Sequence, residues 1–308
     1  MRRFGVEIEM TNISTDRAAR AIREAGIPCE AEGYNHTTRN HWKVVTDASC
    51  GTEVVSPVLE GEDGLAQVTK VARALENADA KITKSCGLHV HIDARRLPIE
   101  TIRATILKYK RFEGEIDAFL PPSRRANNNH YCKSLTRVAD ERITRATTMR
   151  EMQDAFYGDR YYKVNVQSYA RHGTIEFRHH SGTVDATKIT NWIRFLQAFV
   201  ENASTTMAAR ATTRRGISTP RPGTKTAKVM EIVQNGGGWE EIARRLGESE
   251  KNARLWVRHA HWRMAQAQTT PAAATTQTTR DDGLYAGCSD EIRAYYRARS
   301  TRLARRAA

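Results

Sequence analysis

Three short segments of this chain alternate strictly between polar and apolar residues, and each sets a pair of ionisable groups on one face. They are Phe4-Gly-Val-Glu-Ile-Glu-Met10, Cys86-Gly-Leu-His-Val-His-Ile-Asp93 and Thr174-Ile-Glu-Phe-Arg178. The first pairs Glu7 with Glu9, the second His89 with His91, and the third Glu176 with Arg178. A period of two belongs to strands, whose successive side chains point to opposite faces. Such a chain must build a sheet with one apolar face on a core and one charged face. A single Glu-x-Arg strand is most often a solvated face, but three segments repeating the arrangement point to one site.

The intervening sequence alternates helical and extended patterns. Asp16 to Ala25 reads as an amphipathic helix ended by Gly26 and Pro28, and residues 30–40 as a polar, irregular stretch. His41 to Thr46 and Glu53 to Val58 read as strands joined by a turn at Gly51. Further helices are expected over 63–77, from Pro98 to about Leu120, over 147–157 and over 186–207, with a strand over 161–167. Residues 123–140, rich in Arg and Asn, read as a long loop or lid. The expected fold class is α+β. A catalytic domain spans 1–207, a linker 208–224, a three-helix domain 225–265, and a low-complexity segment with a basic helix or tail 266–308.

Glu7, Glu9, Glu53 and Glu176 on one sheet face, beside one or two imidazoles and with Asp47 across the Gly51 turn, would repel strongly without a cation. Unpaired buried charges cost several kcal/mol each. Oxygen-rich sets with few imidazoles suit Mg²⁺ or Mn²⁺ better than structural zinc. Arg178 beside them supplies a fork for a phosphate oxygen. Metals and a guanidinium around phosphates are what ATP-dependent phosphoryl transfer needs.

In order along the chain, these segments resemble motifs of the carboxylate–amine ligase superfamily of glutamine synthetase and glutamate–cysteine ligase, most closely its amidoligase branch. Phe4-Gly-Val-Glu-Ile-Glu9 is similar to that group's first-strand Glu-x-Glu, Gly87-Leu-His-Val-His91 to its Gly-Met-His-Val-His type strand, and Ile175-Glu-Phe-Arg178 to its Glu-x-Arg strand. The likeness covers residues 3–205 and implies a glutamine-synthetase-like curved, mainly antiparallel sheet with helices on one side. It also implies ATP and Mg²⁺ (or Mn²⁺) as cofactors. Glu7, Glu9, Glu53, His89 and Glu176 would hold metals, with Asp47 assisting Glu53. His91 would face the ATP phosphates and Arg178 would steer phosphoryl transfer. The implied reaction phosphorylates a carboxylate from ATP, after which an amine attacks the acyl phosphate. The chain is much shorter than the synthetases and carries no amino-acid or ammonia signature, so a peptide, a protein side chain, a cell-wall fragment or a metabolite all stay open as substrates.

Other groups divide between functional and structural readings. Arg124, Arg125 and Lys163 could bind an anionic substrate or phosphate, or serve a solvated loop and a sheet edge. Asn165 could contact nucleotide or be a hydrogen-bonded structural Asn. His179 and His180 read as supporting or surface groups. A metal-dependent hydrolase is an alternative on the same residues, and a nucleophilic Cys50, or Cys132 with His130, is a third. Five spread cysteines without a Cys-x-x-Cys pair argue for reduced thiols. With no apolar run long enough to span a membrane and no signal peptide, a cytoplasmic location is expected, and assembly into a homo-oligomer is open.

The net charge of +14 is uneven, for residues 201–308 hold 19 Lys and Arg against 10 Asp and Glu, leaving +5 for the first 200. That basic end favours polyanionic partners. The spacing Ala243-x-x-x-Gly247 and the following basic helix resemble a helix-turn-helix, so residues 225–265 either bind nucleic acid or form a bundle with a solvated basic face.

Overall fold

The computed structural model describes residues 1–213, 223–268 and 283–307. Two compact units divide the chain, Met1–Thr205 with Thr278–Ala308, and Thr206–Gln277. The first unit is built on seven strands: β1 (Phe4–Met10), β2 (Cys29–Ala31), β3 (Trp42–Asp47), β4 (Gly51–Val55), β5 (Gly87–Asp93), β6 (Val164–Asn165) and β7 (Thr174–Ser181). Their order is β2-β3-β4-β1-β5-β7-β6, and every pairing is antiparallel except β2 with β3. The expected α+β class with a mainly antiparallel sheet is what the chain adopts.

The alternating segments occupy the centre of this sheet. Val6, Ile8 and Met10 of β1, Leu88, Val90 and Ile92 of β5, and Ile175 and Phe177 of β7 are buried in the main core. Against them pack Leu65, Val68 and Val71 of α2 (Gly61–Asn77), Ile102 and Ile106 of α3 (Ile99–Arg111), and Trp192 and Phe195 of α8 (Ala186–Thr213). Each such side chain stabilises the fold by about 1.5–3 kcal/mol when fully buried. The N-terminal helix α1 (Thr15–Glu24) is capped by Ser14, whose Oγ accepts from the Arg17 amide at 3.3 Å.

Several elements differ from the sequence reading. The stretch taken as irregular from residue 30 begins inside β2, which is too short and too exposed to show alternation. The helix expected over 98–120 breaks at Phe112 into α3 and α4 (Glu113–Ala118), and the break places Glu113 and Asp117 beside Lys163. Of the strand expected over 161–167, Val164 and Asn165 pair with β7 and Tyr162 bridges to Lys133 before α7 (Ser168–His172) begins.

Residues 123–140 form no detached lid. They fold into three 3₁₀ turns, Pro122–Arg124, His130–Cys132 and Leu135–Arg137, with Arg124, Cys132, Leu135 and Val138 buried. Short helices α5 (Asp140–Arg145) and α6 (Met149–Ala155) follow.

Helix α8 runs through the expected boundary at 207, and the rest of the expected linker, 214–222, lies outside the described residues, as do 269–282. The C-terminal residues 290–306, for which the sequence leaves a basic helix or a tail open, form a helix that belongs to the first unit. Leu284 and Tyr285, with Ile292 and Tyr296 of the last helix, α12 (Asp290–Ala307), join the main core, where Tyr296 meets Phe119 at 4.4 Å between ring centroids. The second unit holds α9 (Lys225–Gln234), α10 (Trp239–Leu246) and α11 (Glu250–Gln268) around Val229, Ile232, Ile242 and Ala253.

Candidate active site

Strand register decides which charged groups meet. Across β1 and β4, Glu9 faces Glu53; across β1 and β5, Glu7 faces His89; across β5 and β7, His91 faces Glu176; and across β7 and β6, Glu176 faces Asn165. Side chains directly opposite in a ladder lie about 5 Å apart at Cβ. The three pairs recognised from alternation, together with Glu53, therefore form one continuous polar face.

Two overlapping sets of ligand atoms lie within 4.8 Å of one another, Glu7 with His91 and Glu176, and Glu7 with Glu53 and His89. Glu7 is the shared member. Its carboxylate sits 3.0 Å from His89 Nδ1 and 3.3 Å from His91 Nε2. Burial works against its charge, yet the bonds from His89 and His91 hold it well below the usual carboxylate range. Glu53 shifts the other way, for burial and then the charges of Glu7, Glu9 and Asp47 push its carboxyl well above that range. Burial first, and the neighbouring carboxylates after it, thus favour the neutral form of Glu53. The donors of the two sets, three carboxylates and two imidazoles, fit hard divalent cations.

Backbone and neighbours orient the donors. The Gly87 amide donates to Glu9 Oε2 at 2.5 Å, Asn165 Nδ2 donates to Glu176 Oε2 at 2.6 Å, and Thr174 Oγ1 lies 2.9 Å from His91 Nδ1. For His91, burial favours the neutral ring, but the Glu176 charge and the Glu7 bond raise its pKa above the ordinary value. Arg178 Nη1 donates to Glu176 Oε1 at 2.5 Å and its Nε to the Tyr131 carbonyl at 3.3 Å.

Other expected groups are placed elsewhere. Asp47 Oδ1 accepts from the Ser49 amide at 2.7 Å and the Cys50 amide at 3.0 Å, so it builds the turn and joins neither ligand set. Lys163, expected to contact cofactor, is fully buried between Glu113 Oε1 at 2.9 Å and Asp117 Oδ1 at 2.8 Å, a desolvated cation satisfied by two carboxylates. Asn165 donates its amide to Glu176 and accepts on its carbonyl oxygen from the Gln167 amide at 2.8 Å, so it orients the Glu176 carboxylate. Arg124 is buried, donating to the Ser85 and Cys86 carbonyls, and Arg125 donates to the Leu120 carbonyl at 2.8 Å. His130 packs on Tyr131 and Tyr161. Cys132 and Cys50 are buried with thiol pKa values pushed up, the first mainly by desolvation and the second by its bond to Cys86, so neither is an activated nucleophile.

A β-bulge accounts for the two histidines after Arg178. Leu88 pairs with His180 and Val90 with Phe177, so two residues of β7 oppose one of β5. The extra residue lets His179 and His180 both bury. His179 Nε2 lies 2.6 Å from Asp117 Oδ1 and its Nδ1 3.0 Å from the Tyr109 hydroxyl, while the His180 ring packs 5.3 Å from Trp192. Neither is a surface group, which corrects half of the sequence reading.

Clefts open at both ends of the polar face. One is lined by Glu7, Glu53, His91, Arg95, Arg171 and Val58. Lys43 Nζ supports its wall, donating to Asn35 Oδ1 at 2.7 Å and to the Thr37 carbonyl at 2.9 Å. The other is lined by Glu9, His89, Arg160, Arg178, Tyr131 and Tyr161, with the Arg160 and Arg178 guanidiniums 5.2 and 5.9 Å from the Tyr161 ring centroid. Nothing local in the sequence singles out Lys43, Arg95, Arg160, Arg171 or Tyr161: none belongs to a repeated same-face pair, and only the fold brings them to the two clefts.

The fold and this face set a carboxylate–imidazole cluster on a mainly antiparallel sheet. The family model described as "Putative amidoligase enzyme" matches residues 1–200, and the chain belongs to that family, whose enzymes are ligases that form amide bonds. No curated protein matches the chain. Among the described residues no helix is long and apolar enough to cross a membrane.

Proposed function

We propose that the chain is an ATP- and Mg²⁺-dependent amidoligase that joins a carboxylate to an amine through an acyl phosphate. The observation that carries this reading is Glu7 shared between two ligand sets, with Arg178 at their edge. Glu7, Glu53 and His89 would hold one cation and Glu7, His91 and Glu176 another, with Glu9 beside them; bound Mg²⁺ supplies charge neutralisation for the phosphates. The cleft with His91, Arg95 and Arg171 suits the nucleotide, since its cations match phosphate oxygens and the exposed Val58 offers an apolar wall to the base. The cleft with Arg160 and Arg178 suits the carboxylate. On the polar face between the two clefts the substrate oxygen would attack the γ-phosphorus with ADP leaving, and the amine nitrogen would then displace phosphate from the acyl carbon, its proton passing to the departing phosphate. Arg178, held rigid by Glu176 and the Tyr131 carbonyl, stabilises charge on the transferred phosphoryl group.

The test is intact-mass analysis of acid and amine pools incubated with ATP and Mg²⁺, comparing wild type with Glu9→Ala and Arg178→Ala. Amide product with stoichiometric ADP, lost in both variants, is the expected result. Product in both variants would sink the site assignment. Cleavage of a substrate with metal and no ATP would replace the ligase with a hydrolase.

A further inference from the structure

Nothing in amide synthesis calls for the second unit, yet its three helices have a specific geometry. Helix α10 ends at Leu246, and Gly247 follows in the left-handed region (φ 64°), with the Glu248 amide donating back to the Ala243 carbonyl at 3.2 Å. Ser249 then caps α11, its Oγ accepting from the Asn252 amide at 3.4 Å. Ala253 and Ala260, both buried, let α11 seat against Ile242 and Val229. A helix, a tight glycine turn and a capped second helix over a third helix make a helix-turn-helix.

The outward face of α11 is chemically distinct from its seated face. Lys251, Leu255 and Arg258 follow one another at helical spacing and are exposed, Leu255 by 57%. Arg254 is taken up by Glu250 at 2.9 Å and by the Trp239 ring at 4.2 Å, whereas Lys251 and Arg258 have no ion pair among the described residues. Residues 206–277 carry 12 Lys and Arg against 5 Asp and Glu. An exposed leucine between two cations suits an apolar contact to a thymine methyl flanked by phosphate contacts.

We infer that this unit binds double-stranded DNA, with the first turns of α11 in the major groove. The B-form major groove admits one helix, and the second helix of such a pair enters it N-terminus first. Lys251 and Arg258 contact phosphates on either side of the Leu255 contact. This function is independent of the ligase site.

The full chain should bind a fluorescent mixed-sequence duplex of about 20 base pairs, two helical turns, with affinity falling steeply between roughly 50 and 200 mM salt. Lys251→Ala and Arg258→Ala should each weaken binding and reduce the salt slope by about 1. The charge-reversed pair Lys251→Glu/Arg258→Glu should abolish it. The pair Lys70→Glu/Arg73→Glu, exposed on α2 of the first unit, should leave binding intact. Should the reversed pair lower the thermal midpoint, Lys251→Gln/Arg258→Gln gives the same comparison without new repulsion. Equal loss in the α11 and α2 pairs, loss in neither, or tighter binding of single-stranded RNA that ignores the α11 variants would each overturn the inference.

Discussion

Glu9 of β1 and Glu53 of β4 are direct partners across the antiparallel ladder, two carboxylates where like charges are destabilising. The Glu53 carboxyl, its pKa raised by burial and by Glu7, Glu9 and Asp47, therefore binds a proton more readily folded than unfolded. A raised acid removes stability as pH rises through and above the ordinary carboxylate range. In chelator, Glu53→Gln should melt higher than wild type at pH 8, and the gap should close as pH falls toward 4.5. Each kcal/mol moves the midpoint by roughly 2–4 °C in a chain of this size. Mg²⁺ should then stabilise wild type more than the variant. Scanning fluorimetry reads all of this, and a variant that melts lower at pH 8 in chelator would contradict the crowding of carboxylates.

Gly87 holds Glu9 by its amide and leaves no room for a side chain. A Cβ there would lie 2.8 Å from His89 Nε2 and 3.3 Å from Glu9 Oε2. Gly87→Ala should weaken Mg²⁺ binding by roughly 10–100-fold, the usual effect of disturbing groups that orient metal ligands. Calorimetric titration with Mg²⁺ decides, and an unchanged affinity would remove Glu9 and His89 from the cation site.

Glu176 and Arg178 should separate by their kinetic signatures. Glu176→Gln is expected to raise the Mg²⁺ concentration needed for ADP release and to recover rate at high Mg²⁺. Arg178→Ala should lose roughly 10²–10³ in rate that Mg²⁺ does not restore. Metal rescue of Arg178→Ala would place that guanidinium outside the transfer step.

Burial holds His179 down to about 4 and His180 to about 3, each against a favourable bond. For a base with a depressed folded pKa, the unfolded chain takes up the proton first, so stability is complete above about 6.5 and is lost as pH falls toward 4. For His179 the loss is roughly 3 kcal/mol. Urea midpoints should fall between pH 7 and 5, above the window where paired carboxylates begin to protonate. His180→Gln should shallow that fall, and an identical slope would show that His180 is charged in the fold.

The Tyr296 ring is buried against Phe119 and Phe195, but its hydroxyl has no hydrogen-bond partner among the described residues. Tyr296→Phe should leave stability unchanged or raise it by about 1 kcal/mol, because an unsatisfied buried hydroxyl costs about that much. Tyr296→Ala should cost roughly 3–5 kcal/mol. Comparable losses in both variants would mean that the hydroxyl is bonded.

Alternation made the charged face legible before any coordinates, because a strand's period of two assigns each side chain to a face from local sequence alone. That reasoning placed Glu7, Glu9, His89, His91, Glu176 and Arg178 on the face they occupy. It could not say that Glu7 faces His89 or that His91 faces Glu176, since register depends on pairing between segments some eighty residues apart. Nor could it foresee the bulge that buries His179 and His180, for an unpaired residue exists only relative to the neighbouring strand. Lys163 and Asn165 looked like cofactor groups until α4, broken at Phe112, brought Glu113 and Asp117 to the lysine, and Glu176 claimed the asparagine. The basic composition of the last residues read as a basic helix or a tail because charge is visible locally. Burial of Leu284, Tyr285 and Tyr296 was decided by an apolar surface, around Trp192 and Phe119, that only the folded first unit presents.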